Sequence, residues 1–222
     1  MPHFEHFPYP CRYNSLRLLG YDYTSTLRAC AITLVTDLRR PVFADMKLAK
    51  HILACLLSNE TLRQLHVRAF TLMPEHLHLL ASVRQPWFDL RNVIGKFKSF
   101  STQLYWKRAS EIVSADDLSR PSLSVTRSNS DESNPLLHAL ADFQATLRPE
   151  SVKLKNWPTI PPTLFLNKHL WQPGFFDHVV RNEKDFNANL NYIAFNPVHA
   201  GYVTQPYFYP YTGFFREEIS LK

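Results

Sequence analysis

Cysteine is scarce: Cys11, Cys30 and Cys55 are the only three in 222 residues. The number is odd and no two stand as C-x-x-C, which argues against a disulfide framework or a thiolate zinc site. Long apolar runs are missing too. No stretch approaches the roughly 18 residues that a membrane-spanning helix needs, so no membrane role is expected. The opening "MPHFEHFPYPCRYN" has no apolar h-region, and no signal peptide is expected from it. No internal repeat is visible. A reducing, cytoplasmic setting is the expectation.

What is present is apolar, aromatic and basic. Hydrophobic residues make up 45% of the chain, enough for a real core, and there are 16 Phe, 10 Tyr and 4 Trp. The net charge of +6 favours polyanionic partners such as nucleic acid, though only modestly, because many ordinary proteins are as basic. The length suits one domain over 1–222, with an N-terminal arm at about 1–27. A second departure comes at about 110–162. There "SADDLSRPSLSVTRSNSDESNP" is rich in Ser, Asp and Arg and poor in core residues. We read 110–162 as a flexible insertion holding a short helix at 136–147.

Periodicity predicts strands at 29–36, 67–73 and 75–83. It predicts amphipathic helices at 44–59, with Asp45 as N-cap, and at 86–109. A last helix is expected at 182–196, with Asn182 as N-cap and Pro197 closing it.

The strand "EHLHLLASV" raises a chemical question. Side chains alternate along a strand, so His76, His78, Leu80 and Ser82 share one face, and Leu77, Leu79, Ala81 and Val83 share the other. Two imidazoles two residues apart are close enough to chelate one cation. Two half-buried histidines satisfied by hydrogen bonds would have the same spacing. A catalytic metal would need a third ligand from elsewhere. In "NYIAFNPVHAGYV", Tyr192 and Asn196 lie one helical turn apart and point a phenol and an amide at a common spot. Taken alone, the segment is read first as an ordinary amphipathic helix, with Tyr192 packing and Asn196 capping its end.

Context separates these readings. "MPEHLHLL" resembles the H-hydrophobic-H motif of the HUH single-strand nucleases. "WQPGFFDHVVRNEKDFNANLNYIAFNPVHAGYV" is similar to the C-terminal block of the IS200-like tyrosine transposases, and most of all to their REP-associated branch. That branch carries W-Q-x-G-F/Y and Y-I-x-x-N-P-x-x-A-G. "LRLLGYDYTST" and "IGKFKSF" resemble further segments of it. The resemblance spans most of the chain except about 110–162.

The resemblance implies an α+β fold: a ferredoxin-like or RRM-like antiparallel sheet with helices mainly on one face. It implies a metal-dependent single-stranded DNA endonuclease and strand transferase acting on hairpin-containing DNA through a 5′-phosphotyrosine. His76, His78 and Asn196 would hold Mg²⁺ or Mn²⁺, and Tyr192 would be the nucleophile. Phe175 and Phe176 occupy the place where relatives often carry a tyrosine, and Glu75 replaces a common Asn. Two other functions stand beside this one: a hairpin-binding protein without catalysis, and a zinc hydrolase built on the H-x-H pair.

The implied partner is single-stranded DNA with REP-like palindromic hairpins. Arg12, Arg17, Arg91, Lys96, Lys98, Lys168 and Arg181 are the candidate DNA contacts. Tyr13, Tyr21 and Tyr23 are candidates to stack on bases or, equally, to pack an arm on the core. Lys168 and Arg181 are also candidates to favour the phenolate. A monomer is favoured over a dimer.

Overall fold

The computed structural model describes residues 20–118 and 154–215. Arg12, Arg17, Tyr13 and the helix expected at 136–147 lie outside the described residues.

Four strands form the centre: β1 (Cys30–Val35), β2 (Leu65–Met73), β3 (His76–Val83) and β4 (Phe176–Val179). Helix α1 (Met46–Leu56) and a short α2 (Asn59–Gln64) connect β1 to β2, and α3 (Leu90–Leu118) connects β3 to β4. The sheet order is β4-β1-β3-β2, with every neighbour antiparallel. This is the ferredoxin-like order. Helix α4 (Glu183–His199) and β5 (Thr212–Phe214) follow, and β5 adds to the free side of β2.

The topology decides where α4 must go. It leaves from β4 at one edge and returns to β5 at the other, so it crosses the sheet, and its contacts fall on β2 and β3. The first three helices cover one face, where Ile32, Leu34, Phe70, Leu72, Leu77 and Leu79 form the main core with Leu48, Ile52, Val93 and Phe97. The other face carries a smaller core of Ala69, Leu80, Val180 and Ile193, with Phe186 and Leu190 against it. Phe186, Leu190 and Ile193 recur at helical spacing and give α4 its apolar stripe.

A bulge sets the faces of β2. Its register against β3 shifts between Val67 and Ala69. Val67 and Phe70 therefore both face the main core, while Ala69 and Thr71 turn to the α4 side. Between β2 and β3 the chain turns through Pro74 and Glu75. Thr36 holds this turn through its backbone N–H and its hydroxyl, both reaching the Glu75 carbonyl, and Phe43 N–H reaches Pro74 O.

Several expectations need revision. Helix α3 runs on to Leu118, well into the segment read as an insertion. At the other end, Leu154, Trp157 and Ile160 pack on the main core, and Trp157 Nε1 donates to Ala44 O. Low apolar content had hidden both. Helix α2 was unforeseen; Ser58 caps it by accepting from Thr61 N–H. Pro197 does not close α4, which continues to His199. An interior proline removes the N–H that would bond the carbonyl four residues back, here that of Ile193, and ordinarily costs about 3 kcal/mol. Thr71 on β2 replaces that donor: its Oγ1 lies 2.8 Å from Ile193 O.

Candidate active site

His78 stands at the centre of a row that crosses all five strands. Its register partners are Thr33 on β1 and Thr71 on β2, and beyond these lie Phe176 on β4 and Thr212 on β5. His76 and His78 point to the α4 side, as strand alternation requires, and both are buried. Their ring centroids are 4.5 Å apart. Helix α4 brings Tyr192 over this pair, with its ring 5.2 Å from that of His78. Asn196 lies one turn on, with Nδ2 3.2 Å from His78 Nε2. The four groups expected from the sequence are therefore neighbours, although the two segments are far apart in the chain.

The hydrogen bonds fix the proton positions. An amide nitrogen only donates, so His78 Nε2 accepts and carries no proton. Burial, with the neighbouring His76, drives the His78 pKa well below its ordinary value, so the ring is neutral and its proton sits on Nδ1. That proton goes to Thr33 Oγ1 at 2.9 Å. His76 Nδ1 lies 3.1 Å from Glu75 Oε1. Burial raises the Glu75 pKa, but the hydrogen bond and charge of His76 outweigh it and hold this carboxyl below its usual range. Glu75 is thus an acceptor and His76 Nδ1 the donor. Both histidines use Nδ1 for a supporting hydrogen bond, which leaves Nε2 as the nitrogen available to a ligand, as in metal-ligating imidazoles.

Tyr192 is half-buried. Burial raises its pKa above the ordinary phenol value, and a hydrogen bond from Asn196 pulls it partly back. Lys168 and Arg181 do not figure among these causes. One amide therefore serves both the imidazole and the phenol. Half a turn about its last side-chain bond would exchange nitrogen for oxygen, so the same group can present an oxygen ligand. Two imidazole nitrogens and one amide oxygen fit a divalent cation that keeps open positions. Among the described residues no three of His, Cys, Asp and Glu gather as a metal site. Asn196 is the amide beside the histidine pair, within hydrogen-bond reach of His78 Nε2.

The basic candidates have different fates. Lys96 is exposed on α3. Arg91 is exposed, forks onto the Asp89 carboxylate, and lies over the Tyr23 ring at 5.0 Å. Lys98 turns inward, with Nζ 2.7 Å from Gln172 O and 2.6 Å from Gly174 O, and burial lowers its pKa. Its ammonium braces the loop before β4. Lys168 and Arg181 are exposed. Tyr23 is buried in the main core and its hydroxyl donates to Asp177, so packing wins over stacking there. Phe175 is buried, while Phe176 sits beside Thr33 in the His78 row. Cys30 and Cys55 are buried free thiols, pushed by burial to about 11 and about 12. Neither is poised to react.

Residues 25–120 match the family described as "Transposase IS200 like". Over that stretch the chain is similar to the IS200-like transposase family. Two curated proteins named as REP-associated tyrosine transposases are similar to it. One, from Escherichia coli (strain K12), is 42% identical over 50 residues, which is 22% of this chain and 30% of that protein. The other, from Haemophilus influenzae, is 42% identical over 48 residues, which is 22% of this chain and 27% of that protein. The matches thus span under a third of those relatives' own length. A solved structure of a REP-associated tyrosine transposase bound to a REP hairpin aligns at 20% identity with a TM-score of 0.46, over 83% of this chain and 75% of that one.

The IS200-like match contains the H-x-H strand but ends before α4. Thr33, Thr71 and Glu75 are the supporting residues that sequence reasoning missed. Glu75 was visible as a departure from the family pattern. The threonines would have needed the strand register, which no single segment encodes. No helix among the described residues is long and apolar enough to cross a membrane.

Proposed function

We propose that this chain cuts and rejoins one strand of hairpin-forming DNA, with Tyr192 as nucleophile and His76, His78 and Asn196 holding a divalent cation. The observation that carries this reading is the meeting of the two imidazoles, the phenol and the amide at one point, on an IS200-like scaffold. The naming of both curated relatives points to REP palindromes, which form hairpins, as the substrate class.

Tyr192 Oη attacks the scissile phosphorus, and the bond to the 3′-oxygen of the preceding nucleotide breaks. The phenol loses its proton and the departing 3′-oxygen gains one. The products are a 5′-phosphotyrosine and a free 3′-OH. One phosphodiester replaces another, so a 3′-OH can reverse the step without ATP. Mg²⁺ or Mn²⁺ on the three ligands would neutralise the charge that develops on the phosphate oxygens. The raised phenol pKa means that unassisted Tyr192 is a poor nucleophile near neutral pH. Asn196 offers the phenolate a hydrogen bond, and the neutral His78 keeps a lone pair for the cation.

The test is incubation with labelled hairpin single strands and Mn²⁺, followed by a denaturing gel. Wild type should give a slow-migrating protein–DNA species. Tyr192→Phe should bind the hairpin and give none, and His76→Ala with His78→Ala should remove metal-dependent cleavage. Cleavage without any covalent species would point instead to activated water, as in a zinc hydrolase. Binding with neither would leave a hairpin-binding protein.

A further inference from the structure

We infer that Thr71 is a positioning residue for the nucleophile: its hydroxyl sets where α4 sits over His78 by taking the Ile193 carbonyl that Pro197 leaves without a helical donor. The inference rests on the proposed role of Tyr192. Nothing in the chemistry of strand cleavage requires a threonine at this position, so its role must be read from geometry.

Three observations converge. The first is the bond itself. Thr71 is fully buried and its Oγ1 lies 2.8 Å from Ile193 O. Thr212 Oγ1 lies 2.7 Å from Thr71 Oγ1. Thr71 has one hydroxyl proton and gives it to the carbonyl, so Thr212 must be the donor to Thr71. The hydroxyl of β5 thereby orients the hydroxyl of β2.

The second is position. Ile193 directly follows Tyr192 and precedes Asn196 by most of a turn, so the anchored carbonyl lies between the two groups that must face the histidines. Thr71 is the register partner of His78. The bond therefore ties the reacting helix to the same row of the sheet that holds the central imidazole. The bulge between Val67 and Ala69 is what turns Thr71 to this face.

The third is the nature of the rest of the contact. Apart from the Asn196–His78 contact, which belongs to the site being positioned, the sheet beneath α4 offers Ala29, Ala31, Ala69 and Leu80. Apolar contact of this kind is non-directional and fixes neither the slide nor the rotation of a helix. Near the N-terminus of α4, His178 Nε2 meets both carboxylate oxygens of Asp185 at 3.0 and 2.9 Å. That pair holds one end. The Thr71 bond holds the middle, and two points define an axis. An unbroken helix would have spent the Ile193 carbonyl on its own ladder; Pro197 frees it for the sheet.

The experiment is a double-substitution cycle in the full chain: Thr71→Val, Thr71→Ser, Pro197→Ala, and Thr71→Val with Pro197→Ala. Two readouts are taken: amide hydrogen exchange of α4 against β1 and β3, and the rate of covalent adduct formation with hairpin DNA and Mn²⁺ at saturating and limiting DNA. Thr71→Val should loosen α4 while leaving β1 and β3 protected. It should slow the adduct at saturating DNA by about tenfold or more, with half-saturation little changed, because a misplacement of about 1 Å can cost on the order of 10²-fold. Thr71→Ser keeps the hydroxyl and should stay near wild type. In the Pro197→Ala background the restored N–H takes the carbonyl, and Thr71→Val should then matter by no more than about twofold.

Two results would overturn the inference: Thr71→Val matching wild type in both readouts, or an equal loss with and without Pro197. A wild type that forms no adduct would sink the proposed function instead. The exchange readout would then decide alone whether Thr71 holds the helix.

Discussion

His78 has a hydrogen bond at each ring nitrogen, to Thr33 and to Asn196, and the two bonds do different things. The Asn196 bond is exchangeable, because a cation can replace an amide proton at Nε2. The Thr33 bond is structural and fixes the tautomer that leaves Nε2 bare. Without it, a buried Nδ1–H has no acceptor and the other tautomer gains ground. Thr33→Val should therefore weaken Mn²⁺ binding by about 10- to 100-fold, the usual cost of losing such an outer partner. Thr33→Ser should restore most of it. Titration with Mn²⁺ followed by paramagnetic resonance measures this without DNA, and equal affinity in the valine variant would remove Thr33 from the account. Glu75 plays the corresponding part for His76, as a stronger, charged acceptor.

At the scale of elements, the structure depends on how helices and strands are tied at their ends. Asp45 caps α1 by accepting from Leu48 N–H at 2.7 Å and receives the Arg108 guanidinium of α3 on both oxygens, at 3.0 and 2.7 Å. Burial alone would raise its pKa; Arg108 and the cap outweigh that and hold it below the ordinary carboxylate value. A carboxyl whose folded pKa lies below its unfolded one stabilises the fold above the unfolded value of about 3.9, and this is lost as pH falls through the folded value. Asp45→Asn keeps the cap but not the charge. It should cost about 1–3 kcal/mol near neutral pH and less in acid, where wild type has lost the same contribution. Denaturant unfolding at the two pH values checks it. The β2 bulge is a second such tie. Arg68 is the extra residue of the bulge: deleting it would join the Val67–Ala81 pair directly to the Ala69–Leu80 pair and keep Phe70, Thr71 and Leu72 on their present faces, losing the bend and the bond from Phe215 N–H to Arg68 O. The deletion variant should still unfold cooperatively in denaturant, and loss of cooperative unfolding would show that the bend made by the bulge is itself required.

These ties also explain what was legible in the sequence. Strand alternation alone put His76 and His78 on one face and Leu77 and Leu79 on the other, and the Asn182 cap of α4 is local chemistry, with its side chain accepting from Asp185 N–H. The end of α4 was misread because the donor that compensates Pro197 lies on β2. The end of α3 was misread because Ser and Asp look like loop when nothing in the neighbourhood shows what they continue. Thr33 and Thr71 could not be chosen from the sequence, since they become neighbours of His78 only through register.

Across the whole molecule, charge is the property most open to test. A chain carrying +6 should bind DNA with a marked salt dependence, each phosphate contact contributing about 0.7 to the log–log slope on single strands and about 0.9 on duplex stems. The lysines of α3 do not contribute alike. Lys96 projects into solvent and has its charge to give. Lys98 has already committed its ammonium to the carbonyls of Gln172 and Gly174, and Arg91 is half neutralised by Asp89. Lys96→Ala should lower the slope by roughly 0.7–0.9 and leave stability unchanged. Lys98→Ala should leave the slope nearly unchanged and destabilise the fold by about 1–3 kcal/mol, because two carbonyls lose their donor. Hairpin binding by fluorescence anisotropy across a salt series, with thermal unfolding of the same variants, separates the two. If Lys98→Ala lowered the slope and Lys96→Ala did not, the DNA would run along the loop before β4 rather than along the exposed side of α3.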